Sequence, residues 1–212
     1  MADVAGSPVL LFLTLSKQGT SVFRETLSEA SRRSSPPYYC ATWDAAPADM
    51  AHCAVVQGRW LGGCAMPQLR ERPCSYVTLV REPISRILSA WRYFCFECQE
   101  NLFCRNKTTL SCPDVDVVAW ARFENNVLTR RFGVLRPSRY DFNRVRTSWR
   151  GFLDERIGSG DVARAAAVLS APNVTVLWTD ELSTRAAPTI AALLGSASTT
   201  GRAVATVRFP DH

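Results

Sequence analysis

Two apolar segments of strand length, each followed directly by a helical pattern, constrain the fold of this chain most. Residues 9–15 (VLLFLTL) have the composition of a strand buried on both faces, and residues 22–30 have a helical pattern after a polar turn with one glycine. Residues 75–80 (SYVTLV) predict another strand, and Pro83 begins a helical pattern that runs to Phe94. The sequence therefore predicts two units of strand, tight loop and helix.

Weaker patterns continue this alternation along the chain. They predict two more strands and three more helices, at residues 52–57, 174–178, 115–132, 161–169 and 181–194. Residues 31–50 are rich in proline, serine and alanine and are predicted to be loop. Alternating strands and helices are typical of an α/β fold, so we expect a central parallel sheet flanked by helices in three layers.

Composition excludes some classes of protein. With 212 residues, 47% of them hydrophobic, the chain has enough apolar surface for a core and is too short for a large multidomain enzyme. Its longest apolar run, residues 8–15, is too short to span a bilayer, and no basic segment precedes it as in a secretory signal. Only Lys17 and Lys107 are lysines among the 25 basic residues of a chain with net charge +6. Arginine suits fixed contacts to phosphate or sulfate, although a GC-rich genome gives the same bias.

The eight cysteines indicate a compartment. Four of them lie within 18 residues: Cys95, Cys98, Cys104 and Cys112. Such density is unusual in a cytosolic protein, and one CxxC followed by gaps of five and seven residues differs from the two close pairs usual in a zinc site. Disulfides are therefore favoured over zinc, and the glycosylation sequons at Asn106 and Asn173 agree with the lumen of the secretory pathway.

The loop between the first predicted strand and its helix, LSKQGTS, has the residues of an anion site. Backbone N–H groups at a helix N-terminus have no intrahelical partner and carry the positive end of the helix dipole. Gly19 would let the backbone close around an oxyanion, Thr20 and Ser21 add hydroxyl donors, and Lys17 adds a charge. The lysine precedes the glycine, unlike the Gly-Lys-Ser/Thr ending of a nucleoside-triphosphatase loop. An ordinary turn is the alternative, but one of only two lysines lies here.

The second predicted junction, VTLVREPISRILSAW, combines an arginine with a serine eight residues later. Arg81 at the end of the strand and Ser89 about two helical turns further on would both face one side of the helix. An arginine fork with a hydroxyl suits a phosphate monoester. The alternative is a surface salt bridge of Arg81 and an ordinary helical serine.

Together, the two junctions resemble the sulfotransferases that use 3′-phosphoadenosine 5′-phosphosulfate (PAPS). KQGTS is similar to the 5′-phosphosulfate loop of that family, and REPISRILSAW is similar to its 3′-phosphate motif. Within the superfamily, the Ser-x-Trp-Arg stretch at residues 89–92 resembles the Golgi carbohydrate sulfotransferases, especially the heparan sulfate 6-O type. The likeness is concentrated in residues 9–31 and 75–95 and is weaker elsewhere between residues 9 and 195.

The resemblance implies one P-loop-like sulfotransferase domain over residues 1–212, which transfers a sulfuryl group from PAPS to a hydroxyl of a heparan-sulfate-like glycan without a metal. It implies the residues of the donor site: Lys17, Gln18, Gly19, Thr20 and Ser21 for the phosphosulfate, and Arg81 and Ser89 for the 3′-phosphate. Lys17 would be catalytic, because it and the loop amides would stabilise the charge that grows on the leaving phosphate. A cysteine-rich insertion at 96–114 near the acceptor cleft and an irregular, truncated tail at 196–212 complete the expectation.

The base that removes the acceptor proton is where the sequence departs from the family. Carbohydrate members commonly carry a histidine, often beside a glycine, between the two nucleotide motifs, whereas here Arg59 follows Gly58. An arginine is not a base at neutral pH. His52 is the one histidine between the motifs, and we expect it to be the base, with a purely structural histidine as the alternative. The other candidates are three carboxylates: Asp44, Asp49 and Glu82.

The same resemblance implies the partners and the location. We expect an anionic glycan acceptor, no nucleic-acid partner, and contact with a membrane only through an N-terminal anchor missing from this sequence. The expected location is the Golgi lumen or membrane. One rival function is sulfuryl transfer to another acceptor, such as a protein tyrosine or a small alcohol. The other is a catalytically inactive protein that binds a nucleotide or a glycan.

Overall fold

The computed structural model describes residues 7–14, 18–34, 38–41, 52–58, 69, 72–93, 116–123, 126–129, 132–133 and 157–195. The strands are β1 (Val9–Leu13), β2 (Tyr38–Ala41), β3 (Cys53–Gly58), β4 (Cys74–Val80) and β5 (Val174–Trp178). The helices are α1 (Thr20–Arg32), α2 (Pro83–Arg92), α3 (Val117–Phe123), α4 (Val127–Thr129), α5 (Ser159–Leu169) and α6 (Leu182–Gly195), with a 3₁₀ turn at Thr179–Glu181 before α6. The chain divides into two compact units, Met1–Val80 with Leu169–His212, and Arg81–Val168.

The first unit contains a five-stranded, all-parallel sheet with strand order β2-β3-β1-β4-β5. β1 is the central strand, with Leu10 paired to Val55 of β3 and to Ser75 of β4. All five residues of β1 are buried, as expected for a strand covered on both faces. The predicted α/β class with a central parallel sheet is confirmed. The prediction of a single domain stays a prediction.

The core of this unit lies on both faces of the sheet. On one face Phe12 of β1 meets Phe23 of α1 edge to face, with ring centroids 4.8 Å apart, and Ile190 of α6 packs into the same cluster. Leu27 of α1 is also fully buried there, and truncation of such a leucine to alanine costs about 2–5 kcal/mol of stability. A smaller cluster around Leu11 covers the other face. The sequence predicts Val22, Leu27 and Ala30 on the inward side of α1. Leu27 is buried and Ala30 packs against the core, but Val22 is 62% exposed, so its prediction is wrong.

The edge strand β2 lies where the sequence predicts loop, so that prediction is wrong over Tyr38–Ala41. Four residues that follow two prolines carry no readable strand pattern. Their conformation is fixed by parallel pairing with β3 and by a disulfide between Cys40 and Cys53. A crosslink across this short separation contributes about 3 kcal/mol by restricting the unfolded chain.

The three cysteines in the described part of the chain, Cys40, Cys53 and Cys74, are all disulfide-bonded. This agrees with the oxidising compartment that the sequence indicates. The four clustered cysteines that prompted that prediction lie in the segment 96–114 and just before it, outside the described residues. The predicted tail at 196–212 also lies outside them.

In the second unit, the helix predicted at 115–132 is divided, so a continuous helix is wrong. Asn126 has φ 52°, a left-handed conformation that α-helices do not accommodate, and it separates α3 from α4. The apolar spacing extends through both pieces, which is why periodicity alone joins them. Elsewhere in the unit, a Cβ at Gly133 would clash with the Asp161 carbonyl oxygen, so only glycine fits against the start of α5.

Candidate functional site

The carboxyl ends of β1 and β4 are neighbours in the centre of the sheet. After β1 the next strand, β2, is at one edge of the sheet, and after β4 the next strand, β5, is at the other edge. Open α/β sheets bind their ligands in the crevice at such a reversal of strand order. The loop that leads to α1 follows β1 at this position, and Arg81 is the residue that directly follows β4.

Gly19 shapes the start of α1. It is the residue before the helix and has φ 74°, which residues with a side chain rarely adopt. A Cβ there would lie 3.0 Å from Thr179 Cγ2 and 3.1 Å from Leu182 Cδ1. The loop therefore packs closely against the turn between β5 and α6, and a glycine is required at this point.

The amino end of α1 has no side-chain cap from Gly19. The amides of its first turn have no intrahelical acceptor, as at every helix start. The first turn holds no acidic residue, so the positive end of the helix dipole is not neutralised by its own side chains. Thr20 is half-buried and Ser21 is exposed at this end. Lys17, the predicted catalytic lysine, lies outside the described residues.

Gln18 is the most unusual residue of the loop. Its side chain is fully buried, and neither its Nε2 nor its Oε1 has a hydrogen-bond partner. A buried polar atom without a partner costs about 1–3 kcal/mol, so native proteins rarely keep two of them in one side chain. The sequence assigned Gln18 to the donor site only through its place in the loop, and nothing in the sequence signals its burial.

Two threonine hydroxyls fix the carboxyl edge of the sheet. Thr78 Oγ1 donates to the Leu13 carbonyl oxygen at 3.0 Å, and Thr179 Oγ1 donates to the Val80 carbonyl oxygen at 3.1 Å. These bonds give the carbonyls of the last residues of β1 and β4 a side-chain donor at this end of the strands. The sequence analysis missed both residues, because threonine is common in strands for steric reasons alone.

In the second unit, the amino end of α2 is occupied by its own capping residue. The Glu82 carboxylate accepts hydrogen bonds from the Ser85 amide at 2.7 Å and from the Ile84 amide at 2.9 Å. These two N–H groups hold the pKa of Glu82 below its usual range. Arg81 and Ser89, predicted to hold a 3′-phosphate, are both half-buried at the start of α2 and in its last third. A carboxylate that caps a helix in this way is a weak base, which lowers its value as a proton acceptor.

The structure does not bring His52 together with the loop after β1. His52 is exposed and lies just before Cys53, at the amino end of β3. All strands are parallel, so the loop that follows Leu13 lies at the carboxyl ends of the strands, whereas His52 lies at their amino ends. At the usual strand rise, the two positions are about 17 Å apart. The alternative carboxylates Asp44 and Asp49 lie outside the described residues.

A second buried carboxamide, which the sequence analysis did not single out, belongs to Gln57 near the carboxyl end of β3. The Tyr39 hydroxyl of β2 donates to Gln57 Oε1, and Gln57 Nε2 has no partner. Burial raises the pKa of the Tyr39 phenol, and the nearby positive charge of Arg24 partly opposes that change. No sequence signal marks this pair, because the two residues meet only through strand pairing.

One cavity lies elsewhere in the first unit. Its volume is about 590 Å³, and it is lined by the second half of α1 and the second half of α6, including Glu29, Ala30, Ala191 and Leu194. α1 starts at the carboxyl ends of the strands, so this cavity lies toward their amino ends. It does not coincide with the loop between β1 and α1.

Within the described ranges, no three histidine, cysteine or acidic side chains come together in a way that could hold a metal ion. A search of the same residues finds no helix with the length and apolarity to cross a bilayer. Comparison with family models, with curated proteins and with solved structures finds no match for this chain.

Proposed function

We propose that this protein is a PAPS-dependent sulfotransferase that acts on a glycan hydroxyl. The observation that carries the proposal is the unpartnered, fully buried Gln18 at the reversal of strand order, beside the amino end of α1, where no acidic side chain lies in the first turn. An oxyanion bound there would meet backbone N–H groups and the positive end of the helix dipole. The order β2-β3-β1-β4-β5, with the anion loop after β1, supports the P-loop-like form of the fold that we infer.

In this proposal the donor residues keep the roles that the resemblance implies. The loop amides, Thr20 and Ser21 bind the phosphosulfate, while Arg81 and Ser89 bind the 3′-phosphate. Transfer breaks the bond between sulfur and the bridging phosphate oxygen and forms a bond between sulfur and the acceptor oxygen. The charge that develops on the leaving phosphate is stabilised by Lys17 and the loop amides, and the acceptor proton passes to a base.

The base in this proposal comes from the carboxyl edge of the sheet. His52 lies at the other edge, and the Glu82 carboxylate already accepts two amides. Asp44 and Asp49 follow Ala41, the last residue of β2, along the chain. Because chains leave parallel strands at the carboxyl edge, Asp44, three residues after Ala41, becomes the first candidate to test, whereas Asp49 is only three residues before His52 in the sequence.

The glycan acceptor and the Golgi location belong to the same proposal. They rest on the resemblance, on the arginine-rich composition and on the disulfide between Cys40 and Cys53. Asn173, the first residue of one sequon, is exposed in the turn before β5, where an oligosaccharide can be attached. No nucleic-acid partner is proposed.

A catalytically inactive binding protein is the second candidate, favoured by the position of His52 at the wrong edge for proton transfer. Such a protein would use the same helix end without turnover.

The decisive experiment measures binding and transfer separately. Calorimetry with 3′-phosphoadenosine 5′-phosphate (PAP) tests the nucleotide site. Transfer from radiolabelled PAPS, with EDTA present, is then measured on heparan-sulfate-like oligosaccharides, tyrosine peptides and small alcohols. We expect binding and transfer to the oligosaccharides. Transfer only to another acceptor would change the substrate, binding without any transfer would favour the inactive protein, and no binding would overturn the proposal.

A further inference from the structure

The buried carboxamide of Gln57 has one satisfied end and one unsatisfied end. Its Oε1 accepts the Tyr39 hydroxyl, and its Nε2 carries two N–H donors without a partner, while the residue is only 1% exposed. Burying Gln57 Nε2 without a partner costs stability, as it does for a polar atom of Gln18. Gln57 Nε2 therefore has two donors that could bind a ligand oxygen.

The direction of the carboxamide follows from its surroundings. The Tyr39 hydroxyl donates to Gln57 Oε1. Burial raises the pKa of that phenol, so it keeps the proton that it donates. With the oxygen held in this way, Nε2 is the free end of the amide.

Strand pairing places Gln57 on the side of the sheet that α1 covers. Gln57 pairs with Phe12 of β1, and Phe12 contacts Phe23 in the first turns of α1. Phe23 is also the residue whose amide makes the first bond of the helix, to the Gly19 carbonyl oxygen at 3.1 Å. Gln57 therefore lies on the face of the sheet that α1 covers, near the carboxyl ends of the strands, where α1 begins.

We propose that Gln57 Nε2 donates a hydrogen bond to an oxygen of the sulfate- or phosphate-type group bound at the amino end of α1, and that Tyr39 is the positioning residue that orients it. The proposal rests on the proposed anion site and adds a neutral donor contributed by β3. An amide suits this position because it donates to an oxyanion without adding charge to a buried site. Gln57 is then a ligand contact, and Tyr39 acts only through Gln57.

The test compares four single variants and one double variant of the whole chain, with PAP and inorganic phosphate as separate probes. Gln57→Met removes the amide at similar volume, Gln57→Glu replaces the donor by a second oxygen, and Tyr39→Phe, alone and combined with Gln57→Met, removes only the orienting hydroxyl. Thr175→Ser is the control, since Thr175 is a buried polar residue of the same sheet on β5, away from β3, and serine keeps the sequon at Asn173. Melting temperature without ligand and dissociation constant with each probe are measured for all of them.

We expect Gln57→Met to melt close to the wild-type temperature without ligand, because loss of the unpaired Nε2 offsets loss of the bond from the Tyr39 hydroxyl to Oε1, and to raise the dissociation constant about tenfold or more. Gln57→Glu should raise it further through repulsion. Tyr39→Phe should raise it a few fold, and this effect should disappear in the Gln57→Met background, because a positioning residue has nothing left to orient. Thr175→Ser should bind like the wild type.

Two results would overturn the inference while leaving the sulfotransferase proposal intact. The first is wild-type PAP affinity in Gln57→Met. The second is a loss of ligand-free stability in that variant that matches its loss of affinity, which would mean a structural role. If the wild type binds phosphate with Gln57 dependence but not PAP, the inference stands and the proposed donor is wrong. Binding of neither probe overturns both.

Discussion

The two junctions between a strand and the following helix differ in whether a side chain caps the first amides of the helix. At the start of α1, Gly19 provides no side-chain cap and the first turn holds no acidic residue. At the start of α2, the Glu82 carboxylate accepts two of the corresponding amides. The first junction can therefore hold an external anion on its backbone, whereas the second can do so only with side chains such as Arg81 and Ser89.

This difference matches the chemistry proposed for each end of the nucleotide. The group that changes charge during transfer meets preorganised amides, which stabilise developing charge without rearranging. The 3′-phosphate keeps its charge throughout, so a salt-bridging side chain is sufficient there. Substitutions at the two junctions therefore test whether the first acts on the rate of transfer and the second on nucleotide affinity.

Lys17→Ala should have the largest effect, on transfer rather than on binding. Loss of a charge that acts on the leaving group is expected to lower kcat by about 10²–10³-fold, with a much smaller change in PAP affinity. Transfer assays and calorimetry measure the two quantities. The matched control is Lys107→Ala, the other lysine of the chain, which should keep wild-type turnover. Equal losses in both variants would remove Lys17 from the mechanism.

Arg81→Ala should weaken nucleotide binding. Loss of a charged hydrogen bond to the 3′-phosphate is expected to raise the dissociation constant for PAP about 10- to 100-fold. The control is Arg92→Ala, an exposed arginine in the last turn of the same helix. Unchanged affinity in Arg81→Ala, measured by calorimetry, would contradict the side-chain role of the second junction.

Gly19→Ala should destabilise the protein as well as the anion site. The left-handed conformation costs about 1–2 kcal/mol for a residue with a Cβ, and the added carbon would crowd Thr179 at 3.0 Å. Urea unfolding measures this free energy. Gly195→Ala is the control, because a Cβ there has nothing within 4 Å. If the two variants unfold alike, the first junction does not need its glycine.

Glu82→Gln should change how stability depends on pH. The folded pKa of Glu82 lies below the ordinary glutamate value of about 4.3, so its contribution is present above that value and is lost as pH falls through the folded pKa. The wild type should therefore melt higher than the variant near neutral pH, and the two should converge in acid. Glu25→Gln, on the exposed side of α1, is the control in the same melting experiments. A constant difference at all pH values would argue against the cap.

His52→Ala should have the smallest effect. Its position at the amino end of β3 keeps it away from the edge where α1 begins, so we expect kcat and PAP affinity within about twofold of wild type. A fall of roughly 10²–10⁴-fold in kcat would instead restore His52 as the base and require a rearrangement of this edge.

The sequence predicted those parts of the fold that local pattern controls. Residues 9–15 and 75–80 were apolar or alternating over strand length, and both became central strands of the sheet. β2 escaped prediction because its conformation depends on β3 and on the disulfide at Cys53, which are distant in sequence. Asn126 broke a helix that apolar spacing had joined, since periodicity carries no information about one left-handed residue.

The candidate site shows the same limit. The sequence indicated the anion loop through residue types that follow one another, from Lys17 to Ser21. It could not place His52 relative to that loop. Whether a residue lies at the amino or the carboxyl ends of the strands depends on strand direction and register. Gln57 and Tyr39 were invisible for the same reason, since they meet only through the pairing of β2 with β3.

The central place of β1 has a consequence for how the protein is made. β1 is the first of the described strands to leave the ribosome, yet its neighbour on one side is β4, and Leu13 meets Thr78 across 65 residues of chain. At about 5–20 residues per second, translation needs roughly 3–13 s to deliver that neighbour. During this interval five apolar residues with two open edges are exposed to every other nascent chain nearby. The yield of folded protein should therefore fall when elongation through residues 14–80 is slowed, even though the finished molecule is unchanged.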